Sequence, residues 1–498
     1  MTPPAHIGGR QSRAREAAGL RHDESGDLAR RTAYAVVILM SLAAVGAYAG
    51  LIPDWSPPPL KQRTVVVGPP TAGPGLDLEA PPTPAPVLAT APHPRTLKSA
   101  VRTQLVNAVG DNALGKQVGV AVARLGTAEP VWQLGNETAV TPASTLKLLT
   151  TVAALETMGP QHRFTTSVVR GSDRRSVVLV GGGDPLLTGK DRSRSGDLAP
   201  YPRPASLDAL AVDTAAALTD GGVRRVRLRY DVSLFSGPAV SPDWEPSYVP
   251  ESVVSPISAL WVDEGRQVAG YALRVPDPAQ VAAERFAAAL GRHGVIVTGS
   301  VLEGAAPRQV RTVAEVKSPR LAEIVQHVLE TSDNEGAEVL LRQTALVAGQ
   351  RGSFKGGVAA VTRVLAGLGV DLSNATIHDG SGLARSDRLP IDVLVHVLQL
   401  AASSGQSDLR TVVSALPVAG FTGSLESRFV DSAPAGLGLV RAKTGTLTGV
   451  HGLAGLVTTV DHGVLVFAAV ADRVPVVKTL DARAQLDRIA ALLATCGC

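Results

Sequence analysis

The sequence predicts a mixed α/β (α+β) protein with two folded domains, one inserted into the other, and three observations lead there. The two ends of the folded region complement each other: a helix and two strands open it, and three strands and a helix close it, as parts of one antiparallel sheet would. Between them, residues 164–311 turn β-rich and read as a mainly β insert. Ahead of the folded region, residues 53–95 are crowded with proline and have little apolar periodicity.

Residues 1–31 carry Arg10, Arg13, Arg15, Arg21, Arg30 and Arg31 against Glu16, Asp23, Glu24 and Asp27, and residues 32–52 carry no charged side chain. A helix of that length is about 30 Å long, enough to cross a bilayer, and the positive-inside tendency keeps the N-terminus cytoplasmic. The expectation is a single-pass anchor in the cell membrane with the rest exported, or a secreted chain cleaved near Ala49 in Ala47-Tyr48-Ala49. Residues 53–95 are crowded with proline and read as an extended spacer reaching up to roughly 100 Å.

Thr96 to Val109 has an amphipathic helical pattern, Gln117 to Leu125 alternates as a strand, and Pro130 to Leu134 suits its hairpin partner. Thr141-Pro142 reads as a helix start with Thr141 as cap and Gly159 as the stop. In the insert, Ser167 to Arg170, Ser176 to Val180 and Val223 to Ser233 read as strands and Ala279 to Gly291 as a helix. Leu439 to Thr444, His451 to Thr459 and Val464 to Ala471 read as strands, the last two joined at Asp461-His462-Gly463, and Leu480 to Ala494 as the closing helix. One domain is therefore assigned to 96–163 and 312–498, the other to 164–311.

A net charge of +4 over 498 residues, with scattered arginines, gives no nucleic-acid footprint. Cys496 and Cys498 are the only cysteines, too few for a disulfide framework or a thiolate metal site; they read as a frayed tail, with a strained bridge or lipid attachment as lesser alternatives. No His-Glu-x-x-His and no Gly-x-Ser-x-Gly occurs, so zinc-peptidase and α/β-hydrolase readings lack support, and neither metal nor cofactor is expected.

Ser144 and Lys147 are three apart at a helix start, so the hydroxyl and amine share a face, and a neutral amine can take the serine proton during attack on a carbonyl. Such a pair alone is commonplace. It gains weight from Ser332-Asp333-Asn334 in helical context and Lys443-Thr444-Gly445 at a strand end, since the three motifs in this order are those of β-lactamases and penicillin-binding proteins.

With Gly181-Gly182-Gly183-Asp184-Pro185, Asp231-Val232-Ser233-Leu234-Phe235, Asp379-Gly380-Ser381-Gly382-Leu383, Leu416-Pro417-Val418-Ala419-Gly420 and Ala442 to Leu447, the chain resembles the class C low-molecular-mass penicillin-binding proteins over about Thr96 to Ala494. This D-alanyl-D-alanine carboxypeptidase/endopeptidase family implies a β-lactamase/transpeptidase-like domain: a five-stranded sheet flanked by helices, a helical lobe carrying Ser144 and Ser332, and an insert beside the cleft. It implies peptidoglycan stem peptides as substrate and β-lactam antibiotics as inhibitors. Longer members nest a third domain after the position of Asp263, for which this chain has no room.

In that reading Ser144 is the nucleophile, Lys147 the base and Ser332 the proton relay. Asn334 holds Lys147 and a substrate carbonyl, and the N–H groups of Ser144 and Thr446 form the oxyanion hole. Lys443 with Thr444, Gly445 and Thr446 meets the terminal carboxylate, and Asp231 is either a contact for a stem-peptide amine or a structural acid. Asp184 reads as a turn-former. The competing functions are a β-lactamase, against which the large insert and tether argue, and a non-catalytic wall-binding or penicillin-sensing module, against which the intact motifs argue.

Overall fold

A computed structural model describes residues 97–496, apart from 128–129, 136–137, 191–200, 309–310 and 404. The segments read as cytoplasmic N-terminus, apolar span and spacer lie outside the described residues, as does Cys498. No helix among the described residues is long and apolar enough to cross a membrane.

In chain order, α1 (Ser99–Val109) leads into β1 (Gln117–Arg124) and β2 (Pro130–Leu134), then α2 (Lys147–Met158). The insert follows: β3 (Thr165–Arg170), β4 (Ser176–Val180), α3 (Leu207–Asp220), β5 (Arg225–Asp231), α4 (Pro278–Arg292), β6 (Ile296–Val297), β7 (Leu302–Glu303) and β8 (Thr312–Lys317). Helices α5 (Leu321–Thr331), α6 (Asn334–Val347), α7 (Phe354–Gly367), α8 (Ile391–Ala402) and α9 (Arg410–Ser414) precede β9 (Val440–Leu447), β10 (Val450–Thr458), β11 (Val464–Asp472) and α10 (Thr479–Ala494).

The expected five-stranded antiparallel sheet is present, in the order β2-β1-β11-β10-β9. Its centre joins the two chain ends, with Gln117 opposite Asp472 and Arg124 opposite Leu465. Side chains alternate between faces along a strand, and both faces are buried here, so these strands read as nearly unbroken apolar runs. Val120 and Val122 of β1 and Phe467 and Ala469 of β11 pack under α1 and α10, whereas Ala121, Ala123, Ala468 and Val470 face the helical lobe. Cys496, at the end of this outer layer, is buried and disulfide-bonded rather than frayed.

The insert has its own sheet, β6-β5-β4-β3-β8, with β7 also beside β5. β3 pairs antiparallel with β4 and β8, but β4–β5, β5–β6 and β5–β7 are parallel. A parallel neighbour needs a crossover, and α3 and α4 supply it, so the insert holds more helix than a mainly β reading anticipates. The signal for α3 is legible in retrospect: Leu207, Leu210, Ala211, Thr214, Ala215 and Leu218 repeat with helical period and are buried, after Ser206, whose hydroxyl accepts the Ala209 amide.

Candidate active site

The segment bearing Ser144 begins as a tight turn. Ala143–Leu146 is a 3₁₀ turn in which the Thr145 amide and hydroxyl both donate to Pro142 O, at 3.3 and 2.6 Å, and α2 starts at Lys147. Thr141 therefore does not cap the helix as its sequence position suggests. Its hydroxyl accepts from Arg388 Nη1 at 2.8 Å and its amide donates to Asp472 Oδ2 at 3.2 Å. Ala143, just before Ser144, has φ +48°, a conformation that costs a non-glycine residue roughly 1–3 kcal/mol and needs surrounding structure to impose it. Gly382 is part of that structure, since a Cβ there would sit 1.9 Å from Ala143 O. Gly159 ends α2 at φ +77°, as read from the sequence.

The three motifs converge on two buried amines. Lys147 Nζ lies 2.9 Å from Ser144 Oγ and donates to Asn334 Oδ1 at 2.8 Å and Ser381 O at 2.9 Å. Two of these partners are carbonyl oxygens that only accept, so they take both N–H groups of a neutral amine and leave its lone pair facing the Ser144 hydroxyl. Burial pulls Lys147 down to about 8, against the opposing fields of Asp333, Asp379, Glu338 and Glu335. Lys443 Nζ donates to Ser332 Oγ at 2.7 Å and Thr444 O at 2.9 Å. Burial first, then the charge of Lys147, holds Lys443 well below the ordinary lysine range.

Ser332 sits at the break between α5 and α6 rather than inside a helix, at φ +62°. That break lets Asn334, first residue of α6, reach Lys147 with its oxygen while Nδ2 donates to Val253 O of the insert at 3.1 Å. Lys443, Thr444, Gly445 and Thr446 lie within β9, not at its end. Lys443 is fully buried, so the amine expected to meet the terminal carboxylate is aimed at Ser332; Thr446 is exposed, and the Thr444 hydroxyl donates to Ser424 Oγ at 2.9 Å.

β9 is the edge strand, and amide directions alternate along it. The Ala442 amide donates away from β10, to Pro417 O, so the Thr444 and Thr446 amides point off the same open edge. Gly445 faces the turn bearing Ser144: a Cβ there would meet Pro142 O at 2.9 Å and Thr145 Cγ2 at 3.2 Å. Gly452, opposite it on β10, meets Thr145 Cγ2 at 3.3 Å. This glycine pair lets the turn rest on the sheet beside β9.

Sequence reasoning missed the supports behind Lys147. Glu338 of α6 accepts the Gly380 amide at 3.0 Å and the Ser381 amide at 2.8 Å, and Thr150 donates to Gly380 O at 2.7 Å, which fixes the peptide next to the Ser381 carbonyl that holds Lys147. Burial, with Asp379 nearby, pushes Glu338 up to about 8. Asp379 accepts the Gly382 and Ala384 amides and Trp244 Nε1 of the insert. The available signal was Asp379 to Leu383 itself, a Gly-rich turn whose amides need acceptors.

Asp184 caps a turn as read, accepting the Leu186 amide at 2.9 Å, and burial pushes it up to about 7. Asp231 is not brought to the site by any hydrogen bond or ion pair among the described residues. Its two oxygens accept the amides of Ser233 at 2.8 Å and Ala306 at 2.6 Å; burial opposes its charge, but these bonds outweigh it and the carboxyl stays below its usual range.

A family model described as the D-Ala-D-Ala carboxypeptidase 3 (S13) family matches residues 101–272 and 267–495. The chain is 34% identical over 471 residues to carboxypeptidase DacB of Mycolicibacterium smegmatis, covering 94% of this chain and 97% of the relative. It is 29% identical to a D-alanyl-D-alanine carboxypeptidase of Actinomadura sp., over 69% of this chain and 75% of the relative. In fold it is similar to penicillin binding protein 4 of Haemophilus influenzae, with TM-score 0.65 at 21% identity, covering 78% of this chain and 97% of that one.

Proposed function

Since the chain belongs to the D-Ala-D-Ala carboxypeptidase 3 (S13) family, we propose that it is a serine D,D-carboxypeptidase acting on peptidoglycan stem peptides through an acyl-enzyme on Ser144. The observation that carries the residue assignment is Lys147 Nζ, held by two carbonyl oxygens and set 2.9 Å from Ser144 Oγ. Ser144 Oγ attacks the carbonyl of the penultimate D-alanine while Lys147 takes its proton. The developing oxyanion is met by the amides of Ser144 and Thr446. Ser332, bonded to Lys443, relays the proton taken up by Lys147 to the leaving D-alanine nitrogen as the peptide bond breaks, which leaves Lys147 neutral. Water then hydrolyses the ester, with Lys147 again as base.

Thr446 and Thr444 receive the terminal carboxylate, and Lys443 acts on it through its field and through Ser332. The same acyl-enzyme serves D,D-endopeptidase cleavage of crosslinked stems, and β-lactams acylate the same serine. Residues 32–52 tether the enzyme to the outer face of the cytoplasmic membrane, with 53–95 as spacer. Asp231 serves to hold the loop at Ala306 rather than to bind substrate.

Mass analysis of products from monomeric pentapeptide and crosslinked muropeptides tests the activity. D-Alanine release is expected from the wild type and none from Ser144→Ala, which is also expected to lose covalent labelling by a fluorescent penicillin while keeping its fold. Continued labelling of Ser144→Ala would place the nucleophile elsewhere.

A further inference from the structure

Beside Ser332 lies a side-chain cluster that the chemistry above does not use. Glu264, His327 and Asp333 each present one donor atom, and the three atoms lie within 4.8 Å of one another. Glu264 comes from the turn Asp263–Gly265 of the insert, His327 from α5, and Asp333 from the break between α5 and α6.

Asp333 is the anomaly. It is only 8% exposed, and neither carboxylate oxygen makes a hydrogen bond of normal geometry. It stands at the N-cap of α6, where an aspartate ordinarily accepts an amide of the first turn, yet it makes no capping bond of normal geometry, and its one weak backbone partner, the Gly336 amide, is outweighed by burial. The adjacent cations are engaged elsewhere: Arg266 grips Glu264 Oε2 at 3.0 and 2.7 Å, and Arg274 pairs with Glu335 at 2.8 Å. A buried carboxylate in this position wants a proton or a cation.

The other two residues point to a cation. Arg266 fixes one oxygen of Glu264 and leaves Oε1 facing His327 Nε2 at 3.6 Å, an ion-pair contact longer than a short hydrogen bond. Glu264 and His327 also line a cavity of about 200 Å³, which opens a route to the cluster. A cation centred among atoms no more than 4.8 Å apart lies at most about 2.8 Å from each, against about 2.0–2.2 Å in a zinc site, so movements of under about 1 Å close the gap.

We propose that Glu264, His327 and Asp333 form a binding site for a divalent transition-metal ion, zinc being the ion that fits, which ties the insert to the break carrying Ser332 and Asn334. One imidazole and two carboxylates suit zinc with a fourth position open to the cavity, and Arg266 orients the Glu264 ligand from behind. The ion is a positioning element and takes no part in bond making or breaking.

The test is calorimetric titration of the full-length chain in detergent, freed of metal with EDTA, using zinc chloride alone. One ion per chain is expected, and saturating zinc should raise Tm. His327→Gln and Glu264→Gln should each weaken binding at least about tenfold, whereas His293→Gln, which lies beside Asp208, should not. Near-UV circular dichroism identifies any variant that has not folded, and the two ligand variants carry the test independently. Absence of zinc binding by the wild type, or binding unchanged in both ligand variants, overturns the proposal whatever the peptidase assays give.

Discussion

Lys147 has to serve as a base while three oxygens surround it, and that sets its pH behaviour. With its ammonium pulled down to about 8, the amine is mostly protonated at pH 6.5 and mostly neutral at pH 9.5. Only the neutral form accepts the Ser144 proton, so the rate of acylation by a fluorescent penicillin should rise with pH through about 8 and then level off. A profile flat from pH 6 to 10 would remove Lys147 as the titrating base. Glu338 acts through main-chain atoms: Glu338→Ala strands the buried amides of Gly380 and Ser381, at about 1–3 kcal/mol for each unsatisfied group. Urea unfolding should register that loss, and acylation should slow with it because Ser381 O no longer holds Lys147; normal acylation in a destabilised variant would separate the two roles. Ser144, Lys147, Ser332, Asn334 and Lys443 were legible in the sequence because their residue types and spacings are the signal. Glu338 and Ser381 were not, since they work through a backbone carbonyl and two amides that carry no residue-type information. Asp231 illustrates the converse, a carboxylate whose local amide partners only coordinates reveal.

At the level of elements, the site exists because an edge strand, a tight turn and a helix break meet. β9 offers its open edge, the turn before α2 offers Ser144, and the break between α5 and α6 offers Ser332 and Asn334. Gly445 governs the first contact. In Gly445→Ala the new methyl would sit 2.9 Å from Pro142 O, so the turn must lift off the sheet. Overpacking of this kind costs roughly 1–3 kcal/mol of stability. Acylation should fall by at least about tenfold, or 1.4 kcal/mol of barrier, if the Ser144 and Thr446 amides form the proposed oxyanion hole. An alanine variant that acylates at the wild-type rate would show that these two amides do not form the oxyanion hole. The strands at both chain ends were readable because each alternates or runs apolar between clear turns. α3 was harder to read because its helical repeat lies between the apolar runs of β4 and β5. The parallel pairing of the insert was not readable, since pairing direction follows from the crossover helices rather than from any one strand.

For the whole molecule, the decisive feature is that β1 and β11 pair at the centre of the sheet, so the catalytic lobe closes only when both ends of the folded chain are present. The outer face of that sheet is sealed by α1 against α10, through Leu97, Leu105 and Val109 on one side and Leu486, Ile489 and Leu493 on the other. Burying an aliphatic side chain contributes about 1.5–3 kcal/mol. Losing α1 would therefore remove several kcal/mol from a total that for ordinary domains is about 5–15 kcal/mol, and would bare an apolar strip along α10. These contacts are all made by residues from Leu97 onward. A chain beginning at Arg95 should accordingly be soluble, melt in one cooperative transition and label with penicillin as fully as the full-length protein. A chain beginning at Gln117, without α1, should aggregate or melt far lower, although it keeps every residue assigned to the chemistry. If the Arg95 chain were inactive, the proposed division between tether and enzyme would be misplaced; if the Gln117 chain were as stable as the longer one, the α1–α10 layer would not be what closes the fold.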